Sequence, residues 1–361
     1  MLIGGSCRAA AQSARAAGLR DLAAIDFFAD RDLEAIASVE RMDDFAAAVD
    51  LARRFPPSPW LYCGGMENHP DVVAAIAAER PLWGCSAETL RRVREPEFFA
   101  AACARVGLPC PSMRPALSTE DKTVDWLRKK THSCGGLNVE PATDRAAREG
   151  WYFQRRIIGE SASAAFVSAG ERAVLLGVTG QLIGSAFHAP RPFQYAGSYA
   201  PFDLAPEALA AIRTLGRELT RSCGLVGLWG LDFIIAAGCL LPLEVNPRYC
   251  ASFEILEARQ RRSFVALHAA AFTQGALPEE VGTDASEGFS GKGIVYATQP
   301  TSAADVTWGE DVADLPADGT SFQPGDPVVT VFARGNSREQ FLAELARRRM
   351  QALAALTPTA S

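Results

Sequence analysis

The sequence lacks any apolar run long enough to cross a membrane, and its N-terminal stretch offers only a short apolar start that Gly4 and Gly5 interrupt. It also lacks a basic stripe, since 36 Lys and Arg stand against 42 Asp and Glu. None of its 9 cysteines shows CxxC spacing, which argues against a zinc site or a disulfide framework. We therefore expect a cytoplasmic protein with neither a nucleic-acid nor a membrane partner.

Two common nucleotide motifs are missing as well. No segment has the order G-x-x-x-x-G-K-[ST], and the turn at Gly4–Ser6 is too short for a dinucleotide fingerprint. The chain has only 4 histidines, and no Cys/His or Ser/His/Asp arrangement with a recognisable motif. These absences leave little support for NAD binding or for catalysis by a covalent nucleophile.

The chain does show the pattern of a mixed α/β protein. With 361 residues, of which 48% are hydrophobic, it can form two or three domains with a sizeable core. Strands are predicted at 1–3, 22–28 and 60–62, with helical segments between them, so the N-terminal part should be a small doubly wound unit. A single helix is predicted over 252–271.

The most informative stretch is a predicted hairpin, with strands at 231–235 and 240–245 and a loop centred on Gly238. This spacing places Asp232 opposite Glu244 and puts Asn246 on the same face. Opposed carboxylates repel each other, and two carboxylates with an amide suit Mg²⁺. A solvated outer strand face is the alternative, and Pro242 favours a sheet edge or a bulge.

The segment LEVNPR, preceded by LDFII, resembles the metal-binding end of an ATP-grasp domain. The resemblance implies that Asp232, Glu244 and Asn246 hold Mg²⁺ or Mn²⁺. It further implies that Arg248 binds phosphate or an acyl phosphate. Glu244, Asn246 and Arg248 are then the expected catalytic residues. Among ATP-grasp proteins, the chain is most similar to the group of predicted ATP-dependent carboligases, which are carboxylate–amine ligase-like.

Three upstream segments fit the same family order. A strand lysine followed by a Ser/Gly-rich loop can grip phosphates, although a polar surface turn is the alternative. By the resemblance, the loop and lysine bind the ATP phosphates, the next strand reads adenine and an acid holds the ribose. These expected ATP-binding residues are Lys129, Ser133, Gly135, Gly136, Gln154, Arg155, Ile157 and Glu160. Pro96 stands where many members carry a phosphate-contacting Lys, so Arg94 is the nearest substitute.

Candidate substrate contacts are more scattered. A Pro- and aromatic-rich loop at 187–197 carries polar groups that can reach a substrate, and strand ends in the N-terminal unit carry others. The candidates are His188, Arg191, Tyr195, Glu254, Glu67 and Asn68, with Gly5 and Ser6 beside them.

The resemblance implies a Rossmann-like pre-ATP-grasp domain over residues 1–92, a two-lobed ATP-grasp domain over 93–275 and a small β-rich C-terminal domain over 276–361. It also implies an enzyme that uses ATP to join a small-molecule carboxylate to an amine through an acyl phosphate. Some members of the group accompany methanofuran and tetrahydromethanopterin biosynthesis. A nucleotide-binding regulatory protein, a kinase and a carboxylase are the alternatives, and a homodimer is expected.

Overall fold

The structure is a computed structural model, and it describes residues 1–118, 121, 125–280 and 287–359. No helix among these residues is both long and apolar enough to span a bilayer. The last residues of the predicted C-terminal domain, 360 and 361, lie outside the described part, as do 281–286.

The N-terminal part contains a four-stranded parallel sheet with the strand order β3-β2-β1-β4. Its strands are β1 Leu2–Ile3, β2 Leu22–Asp26, β3 Ala37–Arg41 and β4 Leu61–Tyr62, and its helices are α1 Arg8–Ala16, α2 Arg31–Glu34, α3 Ala48–Arg53 and α4 Pro70–Ala77. The predicted strands are present, whereas β3 was missed because its residues are mixed and none is buried. Parallel strands direct their carboxyl ends to one edge, which carries the loops after β1, β2 and β4.

A second, antiparallel sheet follows, with the order β5-β8-β6-β7. Two helices, α5 Ala87–Val93 and α6 Pro96–Arg105, lead into its strands β5 Met113–Arg114, β6 Trp126–Lys130, β7 Val139–Pro141 and β8 Trp151–Arg155. Pro96 is the first residue of α6, where a missing N–H costs nothing. Trp126 and Phe153 are buried in this small sheet.

The largest sheet has eight strands in the order β13-β12-β9-β10-β11-β14-β18-β16. They are β9 Glu160–Ala169, β10 Arg172–Ile183, β11 Tyr195–Ala200, β12 Gly227–Ala236, β13 Cys239–Asn246, β14 Phe289–Tyr296, β16 Val312–Ala313 and β18 Pro327–Gly335. Strand β14 pairs directly with β11. The sheet therefore continues across the predicted boundary at residues 275 and 276.

Among the described residues, three short strands and four further helices lie outside these sheets. A three-stranded sheet is formed by β15 Thr301–Ser302, β17 Ser321–Phe322 and β19 Thr357–Pro358, and the helices are α7 Pro206–Cys223, α8 Phe253–Gln260, α9 Phe264–Thr273 and α10 Arg338–Ala354. The prediction of one helix over 252–271 was wrong. Arg261 adopts a left-handed conformation at φ 50° that ends α8, and the Ser263 hydroxyl accepts the Ala266 N–H to begin α9.

The central hairpin has the predicted register, and Asp232 faces Glu244. Its turn is Ala237–Gly238, with φ angles of 48° and 78°, so the turn centre lies half a residue before Gly238. A bulge between the Asp232–Glu244 and Phe233–Pro242 pairs places one extra residue in β13. This extra residue brings Glu244 opposite Asp232. Strand β13 is the sheet edge, so Pro242 lies at both an edge and a bulge.

Candidate functional site

A cavity of about 900 Å³ lies between the four-stranded antiparallel sheet and the eight-stranded sheet, and it reaches the loops of the N-terminal sheet. Most of the sequence-predicted site residues line it. These are Lys129, Ser133, Gly135, Gly136, Gln154, Arg155, Ile157, Tyr195, Asp232, Glu244, Asn246 and Arg248. A cavity of this size can hold a small-molecule ligand.

Polar side chains surround the opposed carboxylates of Asp232 and Glu244. Asn246 Nδ2 donates to Asp232 Oδ2 at 3.0 Å, and Gln181 Nε2 donates to Asp232 Oδ1 at 3.1 Å. Burial raises the pKa of Asp232, and the negative charge of Glu244 raises it further. A cation between the two carboxylates would relieve that repulsion.

The donor set at this point fits magnesium. Among the described residues no cluster of three His, Cys, Asp or Glu side chains can hold a metal ion. Two carboxylates and an amide are, however, the kind of partial oxygen shell that Mg²⁺ completes with water and substrate phosphates. Asp232, Glu244 and Asn246 could therefore hold Mg²⁺ only together with such further ligands.

Lys129 brings a positive charge to the same place. Its buried Nζ lies 3.3 Å from Glu244 Oε2 and 3.3 Å from Gln154 Oε1. Burial alone would lower the pKa of Lys129, but Tyr152 and Glu244 raise it. Burial alone would likewise raise the pKa of Glu244, but the charges of Lys129 and Arg94 lower it. Lys129 is therefore a fixed cation in the cavity wall, suited to an anionic ligand.

Glu67, in the N-terminal part of the chain, binds the side chain of Arg248. Its Nε donates to Glu67 Oε1 at 2.9 Å, and its Nη2 donates to Asn246 Oδ1 at 3.3 Å. Arg94 Nη2 lies 3.4 Å from the same Glu67 oxygen. Glu67 is 0% exposed, and the two arginines lower its pKa against the effect of burial. Glu67 thus orients Arg248, while the neighbouring Asn68 does not line the cavity.

The glycine loop lies closed over the cavity. Tyr195 N–H donates to the Gly135 carbonyl at 3.0 Å, and Arg191 donates to the Leu137 carbonyl. Arg94 Nη1 donates to the Ser133 carbonyl at 3.0 Å. Arg94, the predicted substitute for the lysine, therefore lines the cavity and contacts the loop backbone.

We expect Gly136→Ala to disturb this loop much more than Gly135→Ala. Both glycines have positive φ, 72° and 61°, so the backbone strain is similar. A Cβ on Gly136 would lie 1.8 Å from the Phe193 carbonyl oxygen, whereas a Cβ on Gly135 meets nothing within 4 Å. Hydrogen exchange should rise across the loop much more in Gly136→Ala than in Gly135→Ala. Equal exchange in the two variants would contradict the docked position of the loop.

The adenine and ribose predictions have different outcomes in the structure. Gln154, Arg155 and Ile157 line the cavity beside the connection from β8 to β9. Glu160 does not line it, and its carboxylate pairs with Arg338 at 2.8 Å on the protein surface. Ser161 takes that place in the wall. Strand residues alternate between the two faces of a sheet, which directs Glu160 outward.

Some substrate candidates also lie apart from the cavity. His188 and Arg191 are exposed and do not line it. Glu254 sits behind the wall, where it bonds Arg8 and accepts from Lys292 Nζ at 2.5 Å. Tyr195 lines the cavity and its hydroxyl lies 2.7 Å from Ser198 Oγ.

Sequence reasoning missed four charged residues that line the far end of the cavity. They are Arg8, Asp30, Lys292 and Asp314. One of them had a weak signal, since Lys292 is the only charged residue in its strand, FSGKGIVY. We name this region, with Ser6 and Phe28, the acceptor end.

The comparisons with known proteins gave a family model and several distant relatives. A family model for the ATP-grasp domain matches residues 98–252. A formate-dependent phosphoribosylglycinamide formyltransferase from Burkholderia lata is 25% identical over 282 residues, covering 73% of this chain and 65% of the relative. The same enzyme from Stenotrophomonas maltophilia is 27% identical over 243 residues, with 65% and 58% covered. The chain thus spans less than two thirds of these relatives.

Solved structures show the fold. A biotin carboxylase from Campylobacter jejuni superimposes with a TM-score of 0.74 at 13% identity, covering 98% of this chain and 91% of that one. An L-amino acid ligase from Bacillus licheniformis gives 0.69 at 17% identity, with 98% and 97% covered. The biotin carboxylase domain dimer of the Hydrogenobacter thermophilus 2-oxoglutarate carboxylase, solved with MgADP and bicarbonate, gives 0.73 at 13% identity, with 99% and 90% covered. These likenesses confirm the predicted mixed α/β fold.

Proposed function

We propose that the chain is an ATP-dependent ligase that joins a carboxylate to an amine through an acyl phosphate, because a family model for the ATP-grasp domain matches residues 98–252. The observation that carries the proposal is the shared cavity. It is lined by Lys129, the Asp232–Glu244 pair and Arg248, and also by the residues of the acceptor end. Such a cavity has room for charged groups of opposite kinds at its two ends.

The nucleotide end would bind ATP through fixed charges. Lys129 and the backbone N–H groups of Ser133–Gly136 would hold phosphate oxygens, and Gln154, Arg155 and Ile157 would contact adenine. Asp232, Glu244 and Asn246 would hold Mg²⁺, and the bound ion would neutralise part of the negative charge of the phosphates. Closure of the glycine loop would keep water from the transferred phosphoryl group.

The chemistry then needs two displacements. A carboxylate oxygen attacks the γ-phosphorus, the bond to the bridging oxygen breaks and ADP leaves. A neutral amine attacks the acyl carbon, the C–O bond to phosphate breaks, and the nitrogen loses a proton to give an amide and inorganic phosphate. Arg248, held by Glu67, would bind the phosphate oxygens through both displacements.

The names of the compared proteins support this reaction class. One relative is a formate-dependent formyltransferase, and one structural neighbour is an L-amino acid ligase. A role in the biosynthesis of a C1-transfer cofactor stays a prediction, as do the cytoplasmic location and the homodimer.

We expect Lys129→Met to weaken ATP binding by about 100-fold, because a charge-assisted contact to phosphate is lost in a buried setting. Arg128→Met is the matched control, since it removes the same charge from the adjacent position on the same strand, where Arg128 pairs with Glu140 at 2.5 Å. Calorimetric titration with ATP measures both. Equal weakening in the two variants would show that Lys129 does not contact the nucleotide.

The reaction class is tested by ADP release from the full chain. Amino acids and small carboxylic acids are screened with amines, and the ligase proposal predicts release only when an acid and an amine are both present. Release that depends on bicarbonate would indicate a carboxylase, and a phosphorylated product would indicate a kinase. ATP binding without release in any combination would favour a regulatory nucleotide-binding protein.

A further inference from the structure

Carboxylates outnumber cations when the residues packed directly behind the acceptor end are counted with it. Arg8 is buried and its guanidinium is bound on two sides, by Asp314 at 2.8 Å and by Glu254. Lys292 Nζ pairs with Glu254 as well. These two cations and two carboxylates balance one another, so any further carboxylate at this end is in excess.

Three further aspartates, Asp26, Asp30 and Asp32, lie at the end of β2 or shortly after it, and two of them are satisfied by the backbone. Asp26 accepts the N–H groups of Cys7, Phe28 and Ala29. Asp32 accepts the N–H groups of Asp314 and Leu315 at 3.0 and 2.9 Å. Both therefore have a structural use within the loops that shape this end.

Asp30 differs from both. It is 5% exposed and lines the cavity, yet its Oδ2 has no hydrogen-bond partner among the described residues. It stands at the N-cap of α2, where an aspartate ordinarily accepts a backbone N–H, and it makes no such bond. A buried polar atom without a partner is costly, so Asp30 is suited to a group that arrives with the ligand.

The charges around Asp30 decide what that group is. Burial, followed by the negative charges of Asp314, Asp26 and Asp32, raises the pKa of Asp30 to about 8. A carboxyl with this pKa is largely protonated near neutral pH, even though the positive charge of Arg8 lowers the pKa somewhat. A cation bound beside Asp30 would favour its charged form, whereas an anion would be repelled by the neighbouring carboxylates. An ammonium group, which offers three N–H donors, meets both the charge and the unbonded oxygen.

We infer that one substrate of the proposed ligase carries an ammonium group that does not react and that binds Asp30. This inference rests on the proposed function. A nitrogen surrounded by carboxylates keeps its proton, and a protonated nitrogen has no lone pair with which to attack an acyl carbon. The ammonium at Asp30 is therefore an anchor. The substrate class is a basic amino acid, an amino acid used as the acid component, or a diamine.

The test uses probes that are matched except for one ammonium group. The pairs are γ-aminobutyrate with butyrate, putrescine with aminobutanol, and ornithine with norvaline. The first pair reports an anchor on the acid substrate and the second an anchor on the amine. Calorimetric titration of the full chain measures binding without turnover. We expect the charged member of at least one pair to bind about 10- to 100-fold more tightly.

Asp30→Asn should remove that preference, while Asp203→Asn, an exposed carboxylate outside the cavity, should keep it. Equal binding of charged and neutral members in every pair by the wild-type chain would overturn the inference. So would a preference that survives in Asp30→Asn. A thermal melt checks that the variant is folded. If no acid and amine release ADP from the wild-type chain, the ligase proposal fails separately from this result.

Discussion

Glu244→Gln should lower the turnover number for ATP-dependent ADP release by about 100- to 1,000-fold. The change keeps the shape of the side chain but removes the charge that faces Asp232 across the hairpin and Lys129 at 3.3 Å. An amide is a poorer ligand for a hard cation than a carboxylate. Steady-state assays at several magnesium concentrations measure the effect, and the magnesium requirement should rise together with the loss of turnover.

The matched control is Glu344→Gln. Glu344 is also a paired carboxylate, bonded to Arg347 and Arg348, but it lies on the outer face of α10 and does not line the cavity. Its loss should leave turnover unchanged within about twofold, as for surface ion pairs in general. Near-normal turnover by Glu244→Gln would remove the central support for the metal-binding assignment.

Arg248→Met should reduce both stability and turnover. Glu67 is fully buried and would lose its closest cation, leaving Arg94 at 3.4 Å as partial compensation. Removal of one partner from a buried ion pair costs about 3 kcal/mol of unfolding free energy at the lower end of the usual range. Turnover should fall by at least about 100-fold because phosphate stabilisation is lost. Urea denaturation and ADP release measure the two losses.

The double variant Arg248→Met with Glu67→Gln separates the two effects. Once Glu67 is neutral, the carboxylate that lost its closest cation is gone, but Arg94 loses its own partner, so only part of the unfolding free energy should return. Turnover should stay low, because the guanidinium is still missing. A double variant that recovers turnover would show that Arg248 acts only as a structural partner of Glu67.

The central hairpin shows why local sequence was informative here. Period-two alternation and the turn at Gly238 were enough to predict that Asp232 opposes Glu244, and the structure has that pairing. The predicted register was right because two shifts of opposite direction cancel. The turn centre lies half a residue earlier than predicted, and the bulge beside Pro242 restores the register. Pro242 had signalled a bulge or an edge, and the structure shows both.

The acceptor end could not be predicted in the same way. It joins residues from α1, from the loop after β2, from β14 and from the segment after β16, and the Arg8–Asp314 contact spans 306 positions. No local period or turn rule links such distant segments. Glu160 shows a limit of local prediction. A shift of one residue along a strand moves a side chain from the cavity face to the solvent face, and Glu160 lies on the solvent face, where it pairs with Arg338.

The pairing of β14 with β11 bears on how the protein can be trimmed. A fragment that stops before β14 would leave the N–H and C=O groups of β11 open along one side, inviting strand exchange with other chains. It would also lack Lys292 and Asp314, and with them the counter-charges of Arg8 and Glu254. A ligand-competent piece of this protein therefore has to extend past residue 252, through β14 and at least to Asp314.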